Sequence, residues 1–216
     1  MPPDPPPGRF LVLEGIDGCG KSTQLERLRQ WLPGSGLLPA GRALVVTREP
    51  GGTPLGQALR QLLLHPPGEA APVSRAELLL YAADRAQHVE QTIRPALAAG
   101  HWVLSDRFSG STAAYQGYGR GLPLDLIEQL EQVATGGLQP DLTLWLDLPL
   151  AESRRRRGGR AHDRIESAGD AFLAAVAGGF SALAARRSWC RVDAAADPER
   201  VAAACQAHIA QLLQPR

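Results

Sequence analysis

This sequence predicts an α/β fold, a parallel sheet covered by helices on both faces, on the strength of two observations. Short apolar runs alternate with longer segments of helical periodicity, and each intervening segment is long enough for a parallel crossover. The residue clusters with chemical character fall at the carboxyl ends of the apolar runs, where open parallel sheets gather their ligands. A chain of 216 residues can bury a full core as one domain. Residues 1–8 hold five prolines and read as a flexible tail, leaving 9–216 as a single domain.

The first strand is Phe10-Leu11-Val12-Leu13, with Glu14 at its end. It runs into Gly15-Ile16-Asp17-Gly18-Cys19-Gly20-Lys21-Ser22, which fits GxxxxGKS/T, and then into a helix over residues 22–32 with Leu25, Leu28 and Leu32 at helical spacing. Strand, phosphate loop and helix are the context this motif needs. Its glycines let the backbone N–H groups curl toward phosphate oxygens, Lys21 reaches the terminal phosphates, and the Ser22 hydroxyl can ligate Mg²⁺, with Thr23 just inside the helix. Of the 23 basic residues, Lys21 is the one lysine; a compact ammonium fits a tight amide cradle where a planar guanidinium does not. Cys19 reads as a small filler residue, with a redox switch as the competing reading.

Residues 33–41 are rich in Gly and Pro and form a loop before a second strand over 43–47. The turn-forming Arg48-Glu49-Pro50-Gly51-Gly52-Thr53 follows, then a helix over 55–64 ended by Pro66-Pro67-Gly68. A long helix is expected over 74–97. Tyr81 and Arg85 are i and i+4 on it and share a face; spacing alone makes Tyr81 a core aromatic and Arg85 a solvated charge. The third strand covers 101–105 and is followed directly by Asp106-Arg107. A carboxylate there can serve a Mg²⁺-nucleotide site and the arginine can clamp phosphate, but Asp147, closing the next apolar run over 142–146, has a similar claim on the metal.

Residues 111–116 open a helical stretch that Gly117-Tyr118-Gly119-Arg120-Gly121 is expected to break, and a helix resumes over 123–134. After the fourth strand comes Arg154-Arg155-Arg156-Arg157-Gly158-Gly159-Arg160, with Arg164 four further on. Four consecutive arginines on a helix point in all directions, so they cannot all pack. The run is either a solvated or RNA-binding face or, beside a phosphate loop, an arginine-bearing lid over about 150–166 with a hinge at Gly158-Gly159. A helix over 170–185, a short strand over 189–192 and a closing helix over 198–213 complete the chain.

The net charge of +1 gives no case for sequence-independent binding to nucleic acid or an anionic membrane. Three cysteines and no long apolar stretch or signal peptide make a reducing cytoplasm the expected compartment.

From Phe10 to about Leu213 the chain resembles the thymidylate kinases. The motifs that carry the resemblance run from Thr47 through Arg48-Glu49-Pro50-Gly51-Gly52-Thr53, then Tyr81-Ala82-Ala83-Asp84-Arg85-Ala86-Gln87. Asp106-Arg107-Phe108 follows with Ser111 and Ala114-Tyr115-Gln116, and lastly Asp163-Arg164-Ile165-Glu166. The resemblance implies a P-loop nucleoside monophosphate kinase fold with a five-stranded parallel sheet, a homodimer, and transfer of the γ-phosphoryl of ATP to dTMP with Mg²⁺, giving dTDP for dTTP synthesis. It assigns the ATP phosphates to the Gly15 to Ser22 loop and the acceptor phosphate to Arg48 and Arg107. Asp106 would lie near Mg²⁺, which breaks the tie with Asp147. Asp17 would bind the sugar 3′-hydroxyl, Tyr81 stack on thymine and Arg85 bind its O4, reversing the reading from spacing. Ser111, Thr112 and Gln116 would make polar contacts to the acceptor, and Tyr115 crowd the 2′ position.

Members of this family place a catalytic arginine either in the phosphate loop or in the lid. The loop here has none, so the chain resembles the bacterial class that supplies the charge from the lid, and Arg154, Arg155, Arg156, Arg157 and Arg160 become the candidates, with Arg154 and Arg160 put first. Phe108 departs from the commoner Tyr or His. Two rival readings remain: a kinase for another nucleoside monophosphate or deoxynucleoside, and a non-catalytic nucleotide- or RNA-binding protein.

Overall fold

The computed structural model describes residues 8–68, 71–158 and 164–212. Five parallel strands form one sheet in the order β2-β3-β1-β4-β5: β1 (Phe10–Glu14), β2 (Leu44–Arg48), β3 (Trp102–Asp106), β4 (Leu142–Asp147) and β5 (Cys190–Asp193). Successive side chains of a strand face opposite sides, and β1 shows it. Phe10 and Val12 pack with Val103, Val89 and Ile93, whereas Leu11 and Leu13 join the larger cluster with Leu28, Leu104 and Leu144. A strand apolar at every position is one covered on both faces.

The expected strands recur, but β2 and β3 each sit one residue further toward the carboxyl end. Their pairing therefore places Arg48 opposite Asp106, and β1 places Leu13 opposite the same Asp106. That register gathers the chemical residues at one edge.

The helices are α1 (Lys21–Trp31), α2 (Pro54–Leu64), α3 (Ser74–His88), α4 (Arg94–Ala98), α5 (Ser109–Thr112), α6 (Leu124–Thr135), α7 (Leu150–Arg157), α8 (Asp170–Arg186) and α9 (Pro198–Gln211). Helix starts follow local chemistry. The Thr53 hydroxyl accepts from Gly56 N at 3.0 Å with Pro54 as first helical residue, and the Asp197 carboxylate accepts from Arg200 N at 2.9 Å ahead of Pro198.

Two expected helices are corrected. The long helix over 74–97 is interrupted by a π-helical turn, Val89–Ile93, just before Pro95. Proline lacks the N–H and crowds the carbonyl four residues back, and a wider turn relieves this. The second correction concerns the glycines after Gln116, which do not break the helix there. A π-helix runs over Ala113–Gly119, and Gly117 and Gly119 are close-packing sites: a Cβ would meet Leu124 Cδ2 at 2.6 Å in the first case and Phe172 Cε2 at 2.6 Å in the second.

No described helix is long and apolar enough to cross a membrane. Leu104 is fully buried on β3, an interior strand of the sheet. Leu104→Ala is expected to cost about 2–5 kcal/mol of unfolding free energy, read from the urea midpoint.

Candidate active site

At the carboxyl edge of the sheet two clefts open side by side, and Asp17, Glu49, Arg60 and Arg107 line both. The larger, of about 640 Å³, runs over the phosphate loop and includes Lys21, Ser22, Thr23, Arg48 and Asp106. The narrower, of about 90 Å³, contains Tyr81, Arg85, Thr112, Tyr115, Gln116 and Ile165.

The loop is tightly packed on its outer side. Gly18 has φ +78° and its missing Cβ would lie 3.0 Å from Ser153 O and 3.1 Å from Arg157 Cγ, while Ser153 Oγ donates to Asp17 O at 2.7 Å. Helix α7 thus rests on the loop. Lys21 Nζ donates to Gly15 O at 2.9 Å and Ile16 O at 3.1 Å, a buried ammonium held by carbonyls of its own loop. Cys19 is buried against Lys21, and burial raises its thiol above the usual range. A protonated, enclosed thiol fits the filler reading.

Arg107 stands at the junction of the clefts. Its φ is +72°, unusual for a residue with a side chain, and it is held there by Arg107 N donating to Leu13 O at 2.9 Å and by Ser105 Oγ donating to Arg107 O at 2.8 Å. Its guanidinium donates to Asp17 Oδ1 at 2.5 Å, Ser111 Oγ at 2.8 Å and Gly15 O at 3.1 Å. Tyr115 donates its hydroxyl to Asp17 Oδ2 at 2.8 Å. Burial pushes the Asp17 carboxyl up, but the Arg107 and Lys21 charges and these hydrogen bonds more than offset it, leaving Asp17 well below the usual carboxylate range. Burial raises the Tyr115 phenol, which keeps it a donor.

Behind Arg107, Glu14 is enclosed and accepts from Phe108 N and Ser111 N at 3.0 Å each and from Ser111 Oγ at 2.6 Å. Arg85 is buried too. It donates through Nε to Glu49 Oε2 at 2.8 Å and through Nη2 to Thr112 Oγ1 at 2.9 Å, and lies 5.4 Å from the centroid of the Phe108 ring. Glu49 Oε1 is 2.9 Å from His88 Nδ1, and His88 Nε2 is 2.6 Å from Thr47 Oγ1.

The metal candidates separate geometrically. Asp147 pairs with Arg191 at 2.7 Å beside β5, whereas Asp106 lines the loop cleft and its buried Oδ1 has no hydrogen-bond partner among the described residues. An orphaned carboxylate oxygen and the exposed Ser22 in one cleft suit a hard divalent cation. Arg48 is exposed in the same cleft. Arg154 is turned away, its Nη2 2.8 Å from Asp170 Oδ1, while Arg156 and Arg157 line the cleft. Arg160 lies outside the described residues.

Glu14 and Glu49 stand beside the sequence motifs without a role of their own, and Arg60, Glu77 and His88 are not marked by any motif, yet all five belong to the polar framework of the clefts. One signal was available for Glu77: it sits four residues before Tyr81 and eight before Arg85, on the same helical stripe.

Residues 13–205 match the family model described as thymidylate kinase. The chain belongs to the thymidylate kinase family. It is 70% identical over 194 residues to the thymidylate kinase of Synechococcus sp. (strain RCC307), covering 90% of this chain and 92% of that one. It is 66% identical over 202 residues to that of Prochlorococcus marinus (strain MIT 9313), covering 94% of each. The crystal structure of thymidylate kinase from Ehrlichia chaffeensis superposes with a TM-score of 0.76 at 31% identity, covering 95% of this chain and 99% of that one. The sheet and phosphate loop of this family member are those of the P-loop nucleoside monophosphate kinase fold.

Asp84, one residue before Arg85, accepts from Gly51 N at 3.0 Å and is pushed up to about 6, first by burial and then by the Glu49 charge. Its folded pKa lies above the ordinary 3.8, so the stability it contributes is complete below about pH 4 and is lost as pH rises through about 6. Asp84→Asn keeps the acceptor oxygen and is expected to raise stability at pH 7.5 by about 3 kcal/mol. That gain should fade toward pH 4 in calorimetry across the range.

Proposed function

We propose that this chain transfers the γ-phosphoryl group of ATP to the 5′-phosphate of dTMP, giving dTDP and ADP. The observation that carries the reading is the meeting of two clefts at Asp17 and Arg107. One is floored by the phosphate loop, and the other is walled by Tyr81 and the buried Arg85. ATP lies in the first and dTMP in the second, with the reacting phosphates over Arg107. An acceptor phosphate oxygen attacks Pγ, and the bond from Pγ to the bridging oxygen of ADP breaks.

Phosphoryl transfer needs positioning and charge neutralisation more than covalent help. The N–H groups of Gly15, Ile16, Asp17, Gly18, Cys19, Gly20, Lys21, Ser22 and Thr23 cradle the donor phosphates, and Lys21 exchanges its loop carbonyls for phosphate oxygens. Arg48 and Arg107 hold the acceptor phosphate in line. Ser22 and Asp106 hold Mg²⁺, which when bound neutralises charge on the donor phosphates. Tyr81 stacks on the base and Arg85 meets O4, its fork already set by Glu49 and Thr112. Asp17 receives the 3′-hydroxyl, Ser111, Thr112 and Gln116 add polar contacts, and Tyr115 crowds a 2′-hydroxyl.

Among the lid arginines, Arg157 has the better support for supplying charge to the transferring group, because it packs on Gly18 and lines the donor cleft while Arg154 pairs with Asp170. A homodimer is supported by Leu55, Leu62, Leu79, Leu126 and Val133, apolar side chains exposed on the adjoining helices α2, α3 and α6. The balanced charge and free cysteines suit a reducing cytoplasm. Neither an RNA-binding role nor another acceptor is favoured by membership of this family.

A coupled ADP-release assay over dTMP, dUMP, dGMP and dCMP tests the acceptor. dTMP should give the highest kcat/KM; an equal response to all four overturns the assignment. Lys21→Ala should lose at least about a thousandfold in kcat with its melting temperature unchanged. Arg157→Ala should lower kcat far more than Arg154→Ala, and the reverse order would return the role to Arg154.

A further inference from the structure

The proposed chemistry leaves one cluster unused. Glu77 is fully buried on α3, and its carboxylate collects donors from three side chains on two parts of the chain. Gln116 Nε2 donates to it at 2.7 Å, Arg120 through Nε at 3.3 Å and Nη2 at 3.2 Å, and Arg164 through Nη2 at 2.5 Å. Two guanidiniums share a single buried carboxylate, so removing it would leave both without their counter-charge.

Arg164 is fixed at a second point. Its Nε donates to Leu63 O at 2.9 Å and its backbone N to Leu64 O at 3.3 Å. These are last-turn carbonyls of α2, which have no partner inside their own helix and favour a cation. Leu64 lines the narrow cleft, and so does Ile165, the residue directly after Arg164, which is itself buried. Gln116, the other ligand of Glu77, lines the same cleft together with Tyr81, one turn along from Glu77.

We propose that Glu77 and Arg164 are positioning residues for the acceptor nucleotide, holding Ile165 as one wall of the base pocket and orienting the Gln116 amide at another. The inference rests on the narrow cleft being the dTMP site. Glu77 touches neither phosphate nor base; it acts through Arg164 and Gln116. With Nε committed to Leu63 O and Nη2 to Glu77, Arg164 serves the pocket wall and not the donor phosphates. The resulting signature is a defect confined to the acceptor.

Steady-state kinetics of Arg164→Met, Glu77→Gln and the double variant test this. Arg164→Met, which keeps the stem and removes the fork, should raise KM for dTMP about tenfold while KM for ATP and kcat stay within about twofold. Glu77→Gln should show the same split. The double variant should fall clearly short of the sum of the two singles, because both break the Arg164–Glu77 pair. A drop in melting temperature with KM for dTMP unmoved would reduce the cluster to structural support and overturn the inference. So would a parallel rise in KM for ATP, which would make Arg164 a donor-phosphate ligand, or full additivity in the double variant. If the wild-type enzyme turns over dTMP and Arg164→Met keeps its KM, this inference alone falls. A wild-type chain with no dTMP-dependent ADP release would bring down the acceptor reading and the inference with it.

Discussion

The reaction end of the sheet depends on how Arg107 is held. A side-chain-bearing residue in the left-handed region costs about 1–3 kcal/mol, and the surroundings must over-determine it. Here the preceding strand delivers Arg107 to a backbone bond with Leu13 O, and Glu14 collects the next turn through Phe108 N and Ser111 N. Were the residue extended instead, its guanidinium would leave Asp17, and the two clefts would lose their shared wall. The parallel register supplies the rest by bringing Leu13, Arg48 and Asp106 abreast.

The polar groups of the acceptor side are fixed before any nucleotide arrives. Thr47, His88, Glu49, Arg85 and Thr112 form a continuous chain of hydrogen bonds beneath the pocket. Each member restricts the rotamers of the next, so the guanidinium need not reorganise on binding. Such pre-ordering has a cost, visible in Asp84, whose carboxyl is pushed up beside the same network. Stability is given up locally where recognition needs buried charge.

What was legible in the sequence followed a physical rule. The phosphate loop, the strands and the acceptor motifs are local patterns, readable from spacing or from the family they resemble. The buried carboxylates were not, because a lone Glu reads as a solvated residue until its partners come in from afar. Glu14 meets Ser111, Glu49 meets Arg85 and Glu77 meets Arg164, pairs far apart in sequence. Asp106 and Asp147 both close apolar strands and are equal by spacing; the resemblance favours Asp106, and the physical difference lies in the neighbouring strand, since Arg191 on β5 engages Asp147 and not Asp106. Glycines misled for a related reason. Gly117 and Gly119 resemble chain breakers, yet they are there because neighbouring side chains need the room.

The lone lysine has a consequence for how the protein can be handled chemically. Apart from five histidines, all the other basic side chains in the sequence are guanidiniums, and its arginine salt bridges are inert to acylating reagents. The single side-chain amine is buried in the phosphate loop, donating to Gly15 O and Ile16 O. Amine chemistry that would scatter over the surface of most proteins has one side-chain target here. Its progress reports how often that loop lets go of its own lysine.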